Sequence, residues 1–298
     1  MAVQGQVVEA VGGVYRVRTS GGTIEASMRG RLKRGQHKGD RIVIGDRVTV
    51  GAGSGGGRVI ETVRPRRTWL ARRPSWSRVD RVVAANLDRL LVVVSVGDPP
   101  PSRFVIDRML VMGESGGMEC VVVLNKVDLP GCSTVVVELR RAYGAAGYPV
   151  LPTSAVTGAG IEAFRAVIEA GSSALAGPSG AGKSSLLNRV EPGLNLRTRP
   201  VGRRSRAGRH TTVSSRLIEL SGGGRVADTP GFSDVGVGSV EAGSLGGCFP
   251  ELRPFLGRCH FNDCTHVHEP GCAVVAAVAA GHIRQERYAS YQTILEEL

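Results

Sequence analysis

The apolar positions of this chain follow three successive patterns. Through about residue 63 they come in short alternating or continuous runs, QVVEAV, VYRVRTS, TIEASMRG and RIVIGDRVTV, broken by Gly-Gly or Lys-Gly-Asp. No helical period appears there, so the segment predicts about five short strands, enough for a small OB-like or SH3-like barrel. The tract GAGSGGGR (Gly51–Arg58) reads as a hairpin loop. From about residue 80, LDRLLVVVSV, CVVVLN, YPVLPTS, SSALAG, SSRLIEL and GRVADT predict strands, and continuous runs such as LLVVV suit parallel strands buried on both faces. Between them FVIDRMLVMGESG, TVVVELRRAYGAAG, GIEAFRAVIEA and KSSLLNRV read as helices, the β-branched TVVVEL least so. The alternation predicts an α/β domain with a mostly parallel sheet. After about residue 238 a Cys/His cluster precedes two helical segments, AVVAAVAAGHI and RQERYASYQTILEEL.

At 298 residues the chain has room for two or three domains. The expected divisions are a barrel over 1–66, an α/β domain over 67–237 and a mostly helical metal-binding domain over 238–298. With 42% hydrophobic and 21% charged residues the chain is foldable throughout. A net charge of +12 points to a polyanionic partner, nucleic acid before anionic membrane. The strip RPRRTWLARRPSWSR (Arg64–Arg78) holds six arginines and both tryptophans. It reads either as an interdomain linker or as a surface for RNA phosphates and bases, and the two are compatible. No apolar run approaches a spanning helix, and the N-terminus lacks the pattern of a signal peptide. A cytoplasmic protein is expected, with clustered cysteines as metal ligands and not disulfides.

GPSGAGKSS (Gly177–Ser185), between a predicted strand and a predicted helix, fits the phosphate-loop pattern G-x-x-x-x-G-K-S. Gly177, Gly180 and Gly182 would let backbone N–H groups of the loop curl round phosphate oxygens, with Ser179, Ala181 and Pro178, which has no N–H of its own, lying between them. Lys183 would reach the β and γ phosphates, Ser184 would offer its hydroxyl to Mg²⁺, and Ser185 continues the helix N-terminus. DTPG follows a later strand; its Asp228 would hold Mg²⁺ and Gly231 would sense the γ phosphate. NKVD (Asn125, Lys126, Val127, Asp128) ends another strand, and a carboxylate at Asp128 can accept from guanine N1–H and the exocyclic amine. Thr153, Ser154 and Ala155 end the next strand, where a backbone N–H could serve the guanine O6. NKVD excludes most ATP-using readings of the loop. Yet it precedes the phosphate loop by about fifty residues, the reverse of an ordinary guanine-nucleotide switch. Joining the old ends of such a domain and cutting it after its third marker strand gives this order, because domain termini lie at the surface and often close together.

CHFNDCTHVHEPGC contains C-x4-C-x-H-x5-C. Cys259, Cys264, His266 and Cys272 would make a closed Cys₃His zinc set, with His268 an alternative to His266 on spacing alone.

With NKVD, GPSGAGKSSLLN, GRHTT, DTPGF and the Cys/His cluster, nearly the whole chain resembles the RsgA (YjeQ-type) family of circularly permuted GTPases. The resemblance implies an OB-fold, a permuted GTPase domain and a zinc domain, with His266 as the fourth zinc ligand. It implies GTP hydrolysis to GDP and phosphate coupled to late maturation of the small ribosomal subunit, with rRNA as the contact surface. A monomer without a membrane partner is expected. VGRRSRAGRHTT (Val201–Thr212) occupies the place of a first switch, where Thr211 or Thr212, preferably Thr212, would sense Mg²⁺ and the γ phosphate. Phe232 stands where many GTPases place a water-orienting glutamine, so His210 is the substitute candidate and intrinsic turnover should be slow. The competing class is a zinc-stabilised RNA-binding protein that uses GTP and GDP only as a conformational sensor. Because the Cys/His module follows DTPGFSD closely, covalent proximity predicts that it, and not the barrel, couples to the switch.

Overall fold

Every second residue of the valine-rich runs lands on the same face of a sheet. In the computed structural model, which describes residues 2–28, 41–53, 56–72, 81–196, 215–228 and 240–298, this rule builds the central layer. Strand β8 (Arg89–Ser95) lies parallel to β9 (Glu119–Asn125), which in turn pairs in parallel with β10 (Val150–Thr153). On its other side β8 pairs with β11 (Ser172–Ala176), and β11 with β13 (Arg225–Asp228), both in parallel. Only β12 (Ser215–Glu219), paired with β13, runs antiparallel in this layer. Leu90, Val92, Val94, Val122 and Leu124 face helices α1 (Arg103–Ser115) and α2 (Ser133–Ala145). Leu91, Val93, Val121 and Val123 face α3 (Ile161–Glu169) and α4 (Lys183–Val190). Burial on both faces is what the unbroken apolar runs require.

The β-branched segment is helical after all. In α2 Leu139, Ala142 and Tyr143 are buried against the sheet while Val137 stays exposed, so the i, i+3, i+4 pattern outweighs the modest propensity penalty.

The N-terminal strands β1 (Val3–Val11), β2 (Val14–Thr19), β3 (Gly22–Met28), β4 (Arg47–Ala52) and β5 (Arg58–Val63) close a barrel in the order β1-β2-β3-β5-β4-β1. Its core is Val7, Tyr15, Val17, Ala26, Ile42, Val48, Val50 and Ile60. The β3–β5 pair is parallel and the others antiparallel, an OB-like arrangement. The glycine tract is the hairpin between β4 and β5, with residues 54–55 outside the described set. RIVIGDRVTV is a strand only from Arg47 onward. Gly45, at φ +86°, sits where a Cβ would meet the Ala85 carbonyl oxygen at 1.8 Å, so the chain turns there against the next domain.

Two further departures concern the junctions. The basic strip is not only a linker: Trp69–Arg72 forms β6, antiparallel to β7 (Arg81–Ala85). Arg66 makes a two-pronged ion pair with the fully buried Asp46 at 2.8 and 2.9 Å. Trp76, at residues 73–80, lies outside the described residues. The barrel is also continuous with the central sheet, because β1 pairs with β12 through Glu9–Arg216 and Ala10–Ser215. Among the described residues, the central layer and the barrel therefore share one sheet of eleven strands.

The C-terminal part holds short 3₁₀ turns at Ala242–Cys248 and Arg253–Phe255, then α5 (Ala273–Ala279) and α6 (Gln285–Glu296). Its core of Leu245, Cys248, Phe249, Val274, Tyr291 and Ile294 includes Val111 of α1. Among the described residues, no helix is long and apolar enough to cross a membrane. Arg287 of α6 fastens this module to α1. Its side chain is 4% exposed and pairs with Asp107 at 2.5 Å and Glu251 at 2.6 Å, its guanidinium lying over the Phe249 ring. Removing one partner of a buried pair strands the other, at about 3–5 kcal/mol. Arg287→Met is therefore expected to cut hydrogen-exchange protection of α6 by roughly a hundredfold or more. Protection within tenfold of the parent would show that the apolar contacts alone hold the module.

Candidate functional site

All the nucleotide motifs that fall on described residues sit at one edge of the sheet, the C-terminal ends of its parallel strands, where open α/β sheets bind ligands. The phosphate loop leaves β11, whose five residues are all buried, in the centre of the layer between β8 and β13. Gly177 passes so close to β8 that a Cβ would meet the Val93 carbonyl oxygen at 2.1 Å. Gly180 and Gly182 turn the loop with φ of +83° and +93°, and α4 starts at Lys183. Pro178, Ser179 and Ala181 complete the turn, and Ser184 and Ser185 lie in the first turn of α4, beside the free N–H groups of the helix. The Lys183 ammonium donates to the carbonyls of Gly177 at 2.5 Å and Pro178 at 3.1 Å. Partial burial lowers its pKa.

NKVD is locked to that loop. Asn125, 1% exposed, donates from Nδ2 to the Ala181 carbonyl at 2.8 Å. A Cβ on Gly182 would stand 2.2 Å from the same Nδ2, so glycine is required there for contact as well as for φ. Lys126 adopts φ +68°, turning the chain so that Val127 N–H bonds back to Thr153 O at 3.2 Å. Asp128 accepts a hydrogen bond from the Ser154 hydroxyl at 2.5 Å, and that oxygen accepts the N–H groups of Val156 and Thr157. Ser154 thus orients the Asp128 carboxylate through its side chain, where the sequence reading used only backbone from this segment. Ala155 follows directly in the same turn.

Asp228 closes β13 near the phosphate loop and forms an ion pair with Arg216 of β12 at 3.2 Å. That partner was not visible in sequence. His210, Thr211, Thr212, Gly231, Phe232 and the arginines of the first-switch segment lie outside the described residues.

The metal candidates also converge. One ligand atom from each of Cys259, Cys264, His266 and Cys272 lies within 4.8 Å of all the others. Cys259 Sγ is 3.8 Å from Cys272 Sγ and 3.4 Å from His266 Nδ1, and Cys272 Sγ is 3.6 Å from that nitrogen. Zinc–sulfur bonds of about 2.3 Å and a zinc–nitrogen bond of about 2.0 Å give tetrahedral edges of roughly 3.8 and 3.5 Å. The donor set fits zinc. His268 is exposed and outside the cluster, so the structure favours His266 between the two histidines. Cys248 is a buried core thiol.

Glu269 was missed by sequence reasoning. Its carboxylate accepts the N–H groups of Thr265, Val267 and His268 at 2.7, 3.0 and 3.2 Å, clasping the turn in which His266 holds φ +62°. Tyr288 and Tyr291 of α6 donate to the carbonyls of His266 and Thr265 at 2.8 and 2.7 Å. The Thr265 hydroxyl, against a small burial cost and helped by the backbone N–H groups, holds the Glu269 carboxyl well below the usual range. Its clasp is therefore present at neutral pH and lost only as pH falls through that lowered value.

A sequence model described as RsgA GTPase matches residues 63–238, and one described as RsgA N-terminal domain matches residues 4–57. This chain belongs to the RsgA GTPase family. It is 47% identical to the small ribosomal subunit biogenesis GTPase RsgA of Gemmatimonas aurantiaca, covering 99% of this chain and 97% of that one. The protein of the same name from Moorella thermoacetica is 41% identical, again over 99% and 97% of the two chains. Among solved structures, YjeQ from Thermotoga maritima superposes with a TM-score of 0.80 at 35% identity, covering 100% and 99%. YloQ, a circularly permuted GTPase, gives 0.74 at 27% identity, covering 100% and 95%. The present RsgA-family chain is thus a GTP hydrolase with a permuted GTPase domain and an N-terminal barrel.

Removing the Glu269 clasp should loosen the ligand turn without touching a ligand. Glu269→Ala is expected to weaken zinc binding about 10–100-fold, read by competition with a chromogenic chelator. Unchanged affinity would make Glu269 a surface residue only.

Proposed function

We propose that this RsgA-family GTPase binds the small ribosomal subunit through rRNA contacts and hydrolyses GTP as a late checkpoint in its maturation. The observation that supports the nucleotide part is the Asn125–Ala181 hydrogen bond, which ties the NKVD turn to the phosphate-loop segment. The subunit and its rRNA come from the names of full-length relatives and from the positive charge of the chain.

In this reading Asp128, held by Ser154, selects guanine, and the Ala155 N–H faces the guanine O6. Lys183 exchanges its two carbonyl partners for phosphate oxygens, a gain for a partly buried cation that has only neutral acceptors. Ser184 and Asp228 would hold Mg²⁺, which neutralises phosphate charge when bound, and Asp228 must first give up Arg216. Thr212 or Thr211, Gly231 and His210 keep their assigned roles as γ-phosphate sensors and water-positioning candidate. The Cys₃His set would hold one structural zinc. We place the domain divisions at 1–66, 67–237 and 238–298, supported by the barrel, sheet and C-terminal cores, which meet through Ile44 and Val111. The protein works as a cytoplasmic monomer without a membrane partner.

The deciding experiment is phosphate release with purified small or large subunits. Slow release accelerated only by small subunits, and abolished in folded Lys183→Ala, is expected. Negligible release under all conditions would leave a nucleotide sensor instead. Base selection is tested separately. Asp128→Asn should shift preference from guanine to xanthine nucleotides, since the amide can donate to the xanthine 2-oxo group. Unchanged GTP preference in competition binding would remove Asp128 from the site.

A further inference from the structure

A second cleft opens on the opposite edge of the sheet, at the N-terminal ends of the parallel strands. Its volume is about 290 Å³, and it lies where the barrel meets the GTPase layer. Ser172 starts β11 and Arg225 starts β13, so roughly 13 Å of strand separates this cleft from the phosphate loop. It is not part of the nucleotide site.

Its floor is neutral and fully engaged. Gln6 of β1 donates from Nε2 to Gly45 O at 3.1 Å and accepts from Arg225, bridging barrel to sheet. Asn86, 4% exposed, donates to Gly45 O at 3.0 Å and accepts the Arg67 N–H at 2.9 Å. The one acid of the lining among the described residues, Asp88, accepts from Ser172 N–H and hydroxyl at 2.8 and 2.7 Å and pairs with Arg67. Burial alone would raise the Asp88 pKa, but these hydrogen bonds and Arg67 hold it below the usual value, so it stays ionised and occupied. Four guanidiniums line the same cleft: Arg47, Arg64, Arg67 and Arg225. Arg67 spends its charge on Asp88 and Arg225 spends one N–H on Gln6. Arg47 and Arg64 are exposed and have no carboxylate partner among the described residues. Among the described residues, three positive charges remain over this hydrogen-bonded floor, drawn from the barrel and the central layer.

We infer that this junction cleft binds phosphate groups, and that the phosphates belong to an RNA backbone. Planar guanidiniums fit phosphate oxygens in pairs, and this cleft gathers four of them. The RNA source rests on the rRNA-binding reading above; the phosphate chemistry does not.

The test uses the full chain with its nucleotide site saturated by a non-hydrolysable GTP analogue. Probes are a fluorescent unstructured RNA of about twelve nucleotides and inorganic pyrophosphate. Arg47→Glu/Arg64→Glu is compared with Arg47→Gln/Arg64→Gln, and with Arg140→Glu/Arg141→Glu on exposed α2, which changes net charge equally. The expected result is RNA binding weakened on the order of tenfold or more in the junction variant, with the salt slope shallower by about 1.4 for two lost contacts. The glutamine variant should follow in the same direction, and the α2 variant should stay within twofold of the parent. Loss of pyrophosphate binding with RNA binding intact would keep the phosphate site but overturn the backbone as its source. Equal losses in junction and α2 variants, or no loss in either while the parent binds RNA, would overturn the site alone. A parent chain that binds neither probe would overturn both the site and the RNA reading.

Discussion

One side-chain amide holds the permuted site together. The Asn125–Ala181 hydrogen bond joins residues 56 positions apart in the chain and neighbouring in space. It is buried, so its loss would leave two polar groups without water, at about 1–3 kcal/mol each. Gly182 leaves room for it, and the two flanking strands, β9 and β11, are both registered on β8. A ligand at this edge meets strand ends and not chain order. Base recognition can therefore precede phosphate binding in sequence without altering the chemistry, provided that the register across β8 is kept.

The same logic explains what could be read from the sequence. Continuous runs such as LLVVV and CVVVL are constrained at every position by burial on two faces, and they appear as strands where the pattern places them. KSSLLNRV and the metal spacing were legible because both are local: a helix start and a four-donor turn. The barrel–sheet fusion was not legible, since β1 and β12 meet through pairs about two hundred residues apart and any edge strand presents the same backbone groups. Arg287 resembled one more surface charge of a terminal helix, yet its partners are Asp107, on another domain's helix, and Glu251. Glu269 is close to His266 in sequence, but its importance depends on the left-handed backbone of that turn, which spacing does not encode.

Attachment, more than covalent order, decides which part moves with which. The Cys/His module follows DTPG in sequence, yet α6 fastens it to α1 through Arg287 while Tyr288 and Tyr291 hold the Thr265–His266 turn. One short helix thus joins the Cys/His turn to the half of the sheet that ends in NKVD. The barrel makes the opposite choice. Glu9 faces Arg16 in β2 and Arg216 in β12, and Arg216 faces Asp228 in β13. Register partners share a face, so charges of alternating sign run in one row from the barrel to the aspartate of DTPG. Arg16–Glu9 and Arg216–Asp228 are paired at 3.2 Å at the two ends of that row. A shift of Asp228 that frees it from Arg216 leaves an unpaired cation beside Glu9, the acid that Arg16 already holds. The barrel is joined to the strand that ends in Asp228 through β12. The Cys/His module is fastened instead to α1, which packs against the strand that ends in NKVD.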